Sequence, residues 1–185
     1  MDDTDTQFVA DMSLSTGITS ITTTDASSES IRFNNLAEGI IIYANSTDAT
    51  ASTVEVIRAN STGNADSQTF VLGADDSNDS ISIMMADIET TNISGSAATG
   101  YNNRVDIELA NISMTALDET NTINFTGNVP FNIVNTNRDL STINASQMSN
   151  GGDIVMAGNS RTNINAVNYT GTLGDDTFVF RHTDD

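Results

Sequence analysis

The asparagines of this chain recur on a period of about 21 residues, and that period constrains the fold more than any other feature. Asn111-Ile112, Asn132-Ile133 and Asp153-Ile154 follow one another at steps of 21 and 21. A second series runs between them, Thr122-Ile123-Asn124, Thr142-Ile143-Asn144 and Asn163-Ile164-Asn165, at steps of 20 and 21. Each period holds two short segments in which an amide or hydroxyl flanks a β-branched residue. Such a unit cannot bury its own apolar side, so copies must stack and bury it against one another. With strand-type residues in both segments, the expected architecture is all-β, a right-handed parallel β-solenoid with coils of about 20–21 residues. Ile112, Ile133 and Ile154 should then form one inward column, and Ile123, Ile143 and Ile164 another.

Outside the repeat the chain reads as short strands. Ser30-Ile31-Arg32-Phe33, Ile40-Ile41-Ile42-Tyr43, Thr53-Val54-Glu55-Val56-Ile57, Thr69-Phe70-Val71-Leu72, Ser80-Ile81-Ser82-Ile83 and Val105-Asp106-Ile107-Glu108-Leu109 are separated by Gly, Asn, Asp and Ser. Apolar and polar residues alternate in Ile31/Phe33, Val54/Val56, Ile81/Ile83 and Val105/Ile107/Leu109, the period of a strand with one buried face. An antiparallel β-sandwich is the alternative, since it spaces strands similarly. It gives no reason for one polar–Ile pair to recur at a fixed step. The clean period is lost before Thr53, which makes residues 1–52 an N-terminal cap or an irregular start, with room for a short helical turn in Ser27 to Leu36. Residues 53–180 form the solenoid, with an inserted loop near 94–104, and 181–185 are a polar tail. Stacked coils place Asn124, Asn144 and Asn165 above one another, where they either build an amide ladder or supply turn geometry.

Charge narrows the function. There are 25 acidic residues against 6 basic ones, a formal charge of −19. A polyanion repels nucleic acid and anionic lipid and attracts divalent cations. Disorder does not follow from the acidity, because the chain has one proline and is threaded with Ile, Val and Thr. Cysteine is absent, which removes disulfides and thiolate metal sites. No apolar run approaches the ~18 residues of a membrane-spanning helix, and Met1-Asp2-Asp3-Thr4-Asp5 has none of the features of a secretory leader. The chain therefore reads as a segment of a longer protein.

Near the C-terminus stands Gly171-Thr172-Leu173-Gly174-Asp175-Asp176-Thr177-Phe178-Val179. It resembles the GGxGxDxUx nonapeptide of the repeats-in-toxin family, with Thr172 in place of the second glycine. In that family, glycine carbonyls and the Asp of the sixth position hold Ca²⁺ between coils. The resemblance names Gly171, Gly174, Asp175 and Asp176 as metal candidates. Ca²⁺ takes six to eight oxygen ligands, which acidic turns can supply. The second acidic turn, Asp75-Asp76-Ser77-Asn78-Asp79, adds Asp75, Asp76 and Asp79. Asp87-Ile88-Glu89-Thr90-Thr91-Asn92-Ile93-Ser94-Gly95 and Leu140-Ser141-Thr142-Ile143-Asn144-Ala145-Ser146 are similar to phrases of bacterial surface-layer and large repeats-in-toxin surface proteins. The resemblance covers residues 80 to 180 and departs from that pattern in having no tandem glycine repeats.

What the resemblance implies is a non-enzymatic structural segment at the extracellular bacterial cell surface, stabilised by Ca²⁺ and engaged in surface assembly. Its partners would be other copies, neighbouring domains of a longer protein, or cell-surface glycan. The alternatives are a stalk or ligand-binding module of a secreted calcium-dependent adhesin and, lower, a glycan lyase or hydrolase on a β-helix. Catalysis has little to build on. The single histidine, His182, lies in the charged tail, and there is no lysine or cysteine to act as base or nucleophile. Asp106 with Arg104, or Asp153 with Arg161, are the nearest acid–arginine pairs, and either is better read as a surface ion pair. Threonine runs such as Thr22-Thr23-Thr24 do not repeat at every coil, so an ice-binding array is not expected.

Overall fold

The computed structural model describes residues 7–25, 30–46, 52–59, 65–74, 80–86, 88–95, 105–109, 112–113, 121–127, 131–136, 140–149, 154–157 and 168–179. Strands follow one another in pairs: β1 (Phe8–Asp11) and β2 (Ser20–Asp25), β3 (Ser30–Leu36) and β4 (Ile41–Ser46), β5 (Ser52–Arg58) and β6 (Ser67–Ala74), β7 (Ser80–Ala86) and β8 (Thr90–Gly95). Then come β9 (Val105–Leu109), β10 (Ile112–Ser113) and β11 (Asn121–Gly127), followed by β12 (Phe131–Thr136) and β13 (Leu140–Met148), β14 (Ile154–Ala157) and β15 (Asn168–Thr170), and β16 (Thr177–Val179). No helix occurs among the described residues, and none is therefore long and apolar enough to cross a membrane.

Successive strands alternate between two sheets. The first sheet has nine strands, in the order β1-β3-β5-β7-β9-β12-β14-β16 with β10 beside β7; the second has seven, β15-β13-β11-β8-β6-β4-β2. Every pairing among the described residues is parallel. Two parallel sheets fed alternately by one chain make a β-solenoid, and the antiparallel sandwich is excluded. The region before Thr53 belongs to the same two sheets, because β1 lies on β3 and β2 on β4. Ser27 to Leu36 holds no helical turn over its described part; Ser30 to Leu36 is strand β3.

The period is less uniform than the sequence suggests. Phe8 lies beside Ile31 and Ile31 beside Val54, two steps of 23 residues, but Val54 to Ile83 is a step of 29. In the second sheet the step runs from 19, Asn121 to Leu140, up to 32, Thr90 to Thr122. Strand pairing fixes the rung, and the corners absorb the difference in length. β9 and β10 divide β7 between them, Ser80 to Ser82 pairing with the former and Met85–Ala86 with the latter. Residues 96–104 of the expected inserted loop and the tail 181–185 lie outside the described residues.

One expected column stands and the other does not. Ile123 and Ile143 are register partners and both are buried. The next residue in that column is Tyr169; Ile164 lies outside the described residues. Ile112, Ile133 and Ile154 are not stacked: Ile112 lies beside Met85, Ile133 beside Ile107 and Met156, and Ile154 beside Phe131. Between Ile133 and Ile154 the 21-residue recurrence falls two residues short of the 23-residue register step of β14 on β12, and Ile112 lies in β10, which pairs with β7 rather than β12.

The core lies between the sheets. Phe33, Val54, Val56, Ile83 and Met85 of the first sheet join Ile42, Phe70, Leu72, Ile93 and Phe125 of the second in one buried cluster. Within the second sheet, Ile42, Phe70, Ile93 and Phe125 are consecutive register partners. Phe125 and Phe131 meet across the corner joining β11 to β12, ring centroids 5.1 Å apart and tilted by 40°, a favourable aromatic geometry. At the end of the second sheet Gly127 takes φ +96°, and a side chain there would lie 3.0 Å from the carbonyl oxygen of its register partner Gly95.

Ile143→Ala should therefore cost about 2–5 kcal/mol in urea unfolding, because the rung above cannot collapse into the space. Ile57→Ala, at a residue more than a third exposed, should cost under about 0.5 kcal/mol. Equal losses at the two positions would contradict the inward column.

Candidate functional site

The turn between β15 and β16 is the described part of the acidic motif, and its geometry comes from Thr172 and Asp176. The Thr172 N–H donates to Asp176 Oδ2 at 2.9 Å, and the Thr172 hydroxyl donates to Asp176 Oδ1 at 3.0 Å. The Gly174 N–H donates to the same Thr172 hydroxyl oxygen at 2.9 Å. One threonine thus holds both oxygens of one carboxylate, a charge-assisted arrangement stronger than neutral hydrogen bonds. Thr172, a departure from the glycine-rich pattern at sequence level, is the residue that closes the turn. A β-carbon on Gly171 would fall 2.5 Å from Asp176 Oδ2, so the glycine makes room for that carboxylate. Burial pushes the Tyr169 phenol well above its ordinary range, and the charge and hydrogen bonding of Asp176 add to the shift.

The two acidic side chains of this turn therefore differ. Asp176 faces inward, against Thr172 and Tyr169, whereas Asp175, Gly174 and Leu173 are exposed. Asp75, Asp76 and Asp79 lie outside the described residues. Among the described residues no three His, Cys, Asp or Glu side chains come together as a metal-holding group. Gly171→Ala should drive its β-carbon against Asp176 and lower stability by about 1–3 kcal/mol, the range for overpacking. Gly171→Ala with Asp176→Ala should lose less than the sum of the single changes, since the clash needs both partners. Additive losses in thermal unfolding would contradict this contact.

A second polar cluster, not anticipated from sequence, is buried where the end of β5 meets the starts of β6 and β8. Arg58, Gln68 and Glu89 are 7 %, 1 % and 5 % exposed. Arg58 Nη2 donates to the Ser67 carbonyl, and Gln68 Nε2 donates to the carbonyls of Ile40, at 2.9 Å, and Thr69, at 3.0 Å. Glu89 Oε2 accepts the Asp66 N–H at 2.6 Å. Backbone bonds continue the stitching, from Thr90 N–H to the Asp66 carbonyl at 3.1 Å and from Thr122 N–H to the Glu89 carbonyl at 2.7 Å. Burial lowers the pKa of Arg58, and the charges of Glu38 and Asp66 oppose that shift. Arg58 Nε and Nη1, Asp66 Oδ2, Gln68 Oε1 and Glu89 Oε1 face into this corner without a protein hydrogen bond. The cluster is a seam between coils; the Asp66 N–H and the Ile40 carbonyl, just outside β6 and β4, take side-chain partners there. Glu89→Leu would orphan the Asp66 N–H, so a loss of about 1–3 kcal/mol is expected in urea unfolding; an unchanged midpoint would remove the seam's role.

The asparagine row uses both chemistries open to it. Asn124 Nδ2 donates to Asn92 Oδ1 at 2.9 Å, across a register pair, which is one rung of a ladder. Asn144, the next partner in the row, instead accepts from the backbone N–H and hydroxyl of Ser146 at 3.1 and 2.7 Å. The β11–β13 pairing slips just beyond this point, so Asn144 serves the irregular strand rather than the ladder. Asn165 lies outside the described residues, as do Arg104, Asp153 and Arg161; Asp106 is placed in β9 beside Asn132 and Ser80. The chain matches no protein-family model, no curated protein and no solved structure.

Proposed function

We propose that this chain is a non-enzymatic structural segment of an extracellular bacterial surface protein of surface-layer type, stabilised by Ca²⁺ and used in surface assembly. The observation that carries the reading is the continuous stacking of parallel strands from Phe8 to Val179 in two sheets. Such an array is a stiff scaffold whose ordered polar groups serve packing between coils. Acidity supports the calcium part: at −19, self-repulsion opposes compaction and a bound divalent cation relieves it.

At the C-terminal turn, Asp175 and Asp176 are the residues that would hold Ca²⁺. The fit is partial, because both oxygens of Asp176 already accept hydrogen bonds from Thr172. A cation there replaces those bonds and draws its remaining oxygens from elsewhere. Binding at a dissociation constant of about 10⁻⁴ to 10⁻³ M, usual for extracellular modules, gives roughly 0.4–1.4 kcal/mol of stability in 1 mM Ca²⁺.

The melting temperature should accordingly rise with Ca²⁺ by more than NaCl of equal ionic strength achieves. Asp176→Asn should blunt the rise relative to the variant's own value in chelator. At low ionic strength, light scattering should report monomer in chelator and growing association as Ca²⁺ is added. A melting curve indifferent to Ca²⁺ would leave the acidic turns as solvated loops, and unchanged scattering would remove assembly by this segment.

A further inference from the structure

The two sheets of the solenoid differ in charge. Strands of the first sheet contain six charged residues, Asp11, Arg32, Glu55, Arg58, Asp106 and Glu108. The seven strands of the second sheet contain one, Asp25, the last residue of β2. Rows of the second sheet that alternate with its buried columns are uncharged: polar on β8, β11 and β13, with Ile41, Tyr43 and Val71 on β4 and β6. Thr90, Thr122 and Thr142 are consecutive register partners in one row, and Asn92, Asn124 and Asn144 in the next. All six are partly exposed. A Thr-x-Asn pattern thus repeats on three successive strands, β8, β11 and β13.

We propose that this outward face of the second sheet is where two copies of the chain pair, face to face about a two-fold axis. It rests on the assembly reading above for its setting, but on a different observation, the distribution of charge. Each copy carries −19, so contact elsewhere works against like charge; the first sheet's strands hold four carboxylates against two arginines, of which Arg58 is buried in the seam. The outward face of the second sheet is the extended surface of the described residues that escapes this repulsion.

Three further features suit that face to self-pairing. Tyr43, 37 % exposed, stands beside its register partner Val71, with Ile41 two residues away; an exposed aromatic flanked by aliphatics is the usual anchor of an interface. The amides of Asn92 and Asn124 already bond each other at 2.9 Å, so covering them leaves fewer polar groups to satisfy, as in stacked asparagine ladders. Seven strands span about 29 Å at ~4.8 Å spacing, which with three outward positions per strand gives roughly 500 Å² per copy. A two-fold pair buries about 1,000 Å² in all, the lower limit for a specific interface. The contact is therefore weak in isolation. It strengthens with salt, opposite to pairing through ion pairs, because the force against it is the net charge.

The test is sedimentation equilibrium of the whole chain in chelator, at micromolar to millimolar concentration, from low salt to about 1 M NaCl, where the screening length is about 3 Å. The expected result is monomer at low salt and a monomer–dimer equilibrium at high salt, with at least a tenfold stronger association constant. Thr69→Glu, on the neutral face, should abolish the dimer. Ile57→Glu, which adds the same charge to the other sheet, should leave it intact, with circular dichroism confirming that both variants fold. Because the chain has no cysteine, Thr69→Cys should also form a disulfide-linked dimer on oxidation, and Ile57→Cys should not. A monomer at every salt concentration overturns the proposal, as does equal loss of dimer in both glutamate variants. Monomer in chelator and 1 M NaCl together with assembly on adding Ca²⁺ overturns the face pairing but leaves the surface-assembly reading standing. A monomer that instead binds dextran or shapes growing ice through this face also overturns it, by giving the face another occupant.

Discussion

Parallel in-register stacking governs this molecule, because every inward side chain rests on the side chain one coil away. The column Ile42, Phe70, Ile93 and Phe125 shows what this demands. Each residue is sealed from water by the rungs on either side as well as by the opposite sheet, which is why all four are fully or almost fully buried. A coil can then change its length only where it is not stacked. The step between register partners varies from 19 to 32 residues, while the strands that carry the column keep their alternation. Where two coils must approach closely, side chains disappear, as at Gly95 and Gly127.

Polar groups obey the same geometry. A corner cannot use the strand ladder, so its backbone groups need partners from side chains or from the next coil. Gln68 and Glu89 provide them at one corner, reaching Ile40 and Asp66, while Arg58 and Gln68 also bond the carbonyls of Ser67 and Thr69 within β6. Thr172 and Asp176 do so at another, within a single turn. The two sites differ in reach: the first ties coils together, and the second shapes its own loop.

That difference explains what could be read in the sequence. β9 coincides with the alternating run Val105 to Leu109, and the Thr122 to Thr142 step is a true register step, because strand alternation and local repeats are written in neighbouring residues. The turn at Gly171 to Asp176 was legible for the same reason. The column assigned to Ile112, Ile133 and Ile154 was not, since similarity of a motif fixes which face a residue takes but not which rung partner it meets. β1 and β2 lack the repeated pair and left no signal. Arg58, Asp66 and Glu89 are brought together only by coil stacking, so no local pattern could have marked them.

Charge follows from the same arrangement. Inward positions are mostly apolar, with Thr23, Gln68 and Thr91 as buried polar side chains, and the second sheet's outward positions are held close to one another in rows about 4.8 Å apart. Like charges in such rows would face one another at every rung, destabilising the sheet. In the first sheet one carboxylate is opposed: Arg32 donates to Glu55 at 2.7 Å, and Gln7 reaches the same oxygen at 3.1 Å. Most of the remaining acidity is carried by residues that belong to none of the described strands, Asp175 and Asp176 among them. A strongly acidic chain can therefore keep one face neutral without weakening its core. Among the described residues the exposed Asp175 lies in the turn between β15 and β16, and the outward rows of β8, β11 and β13 are free of charge.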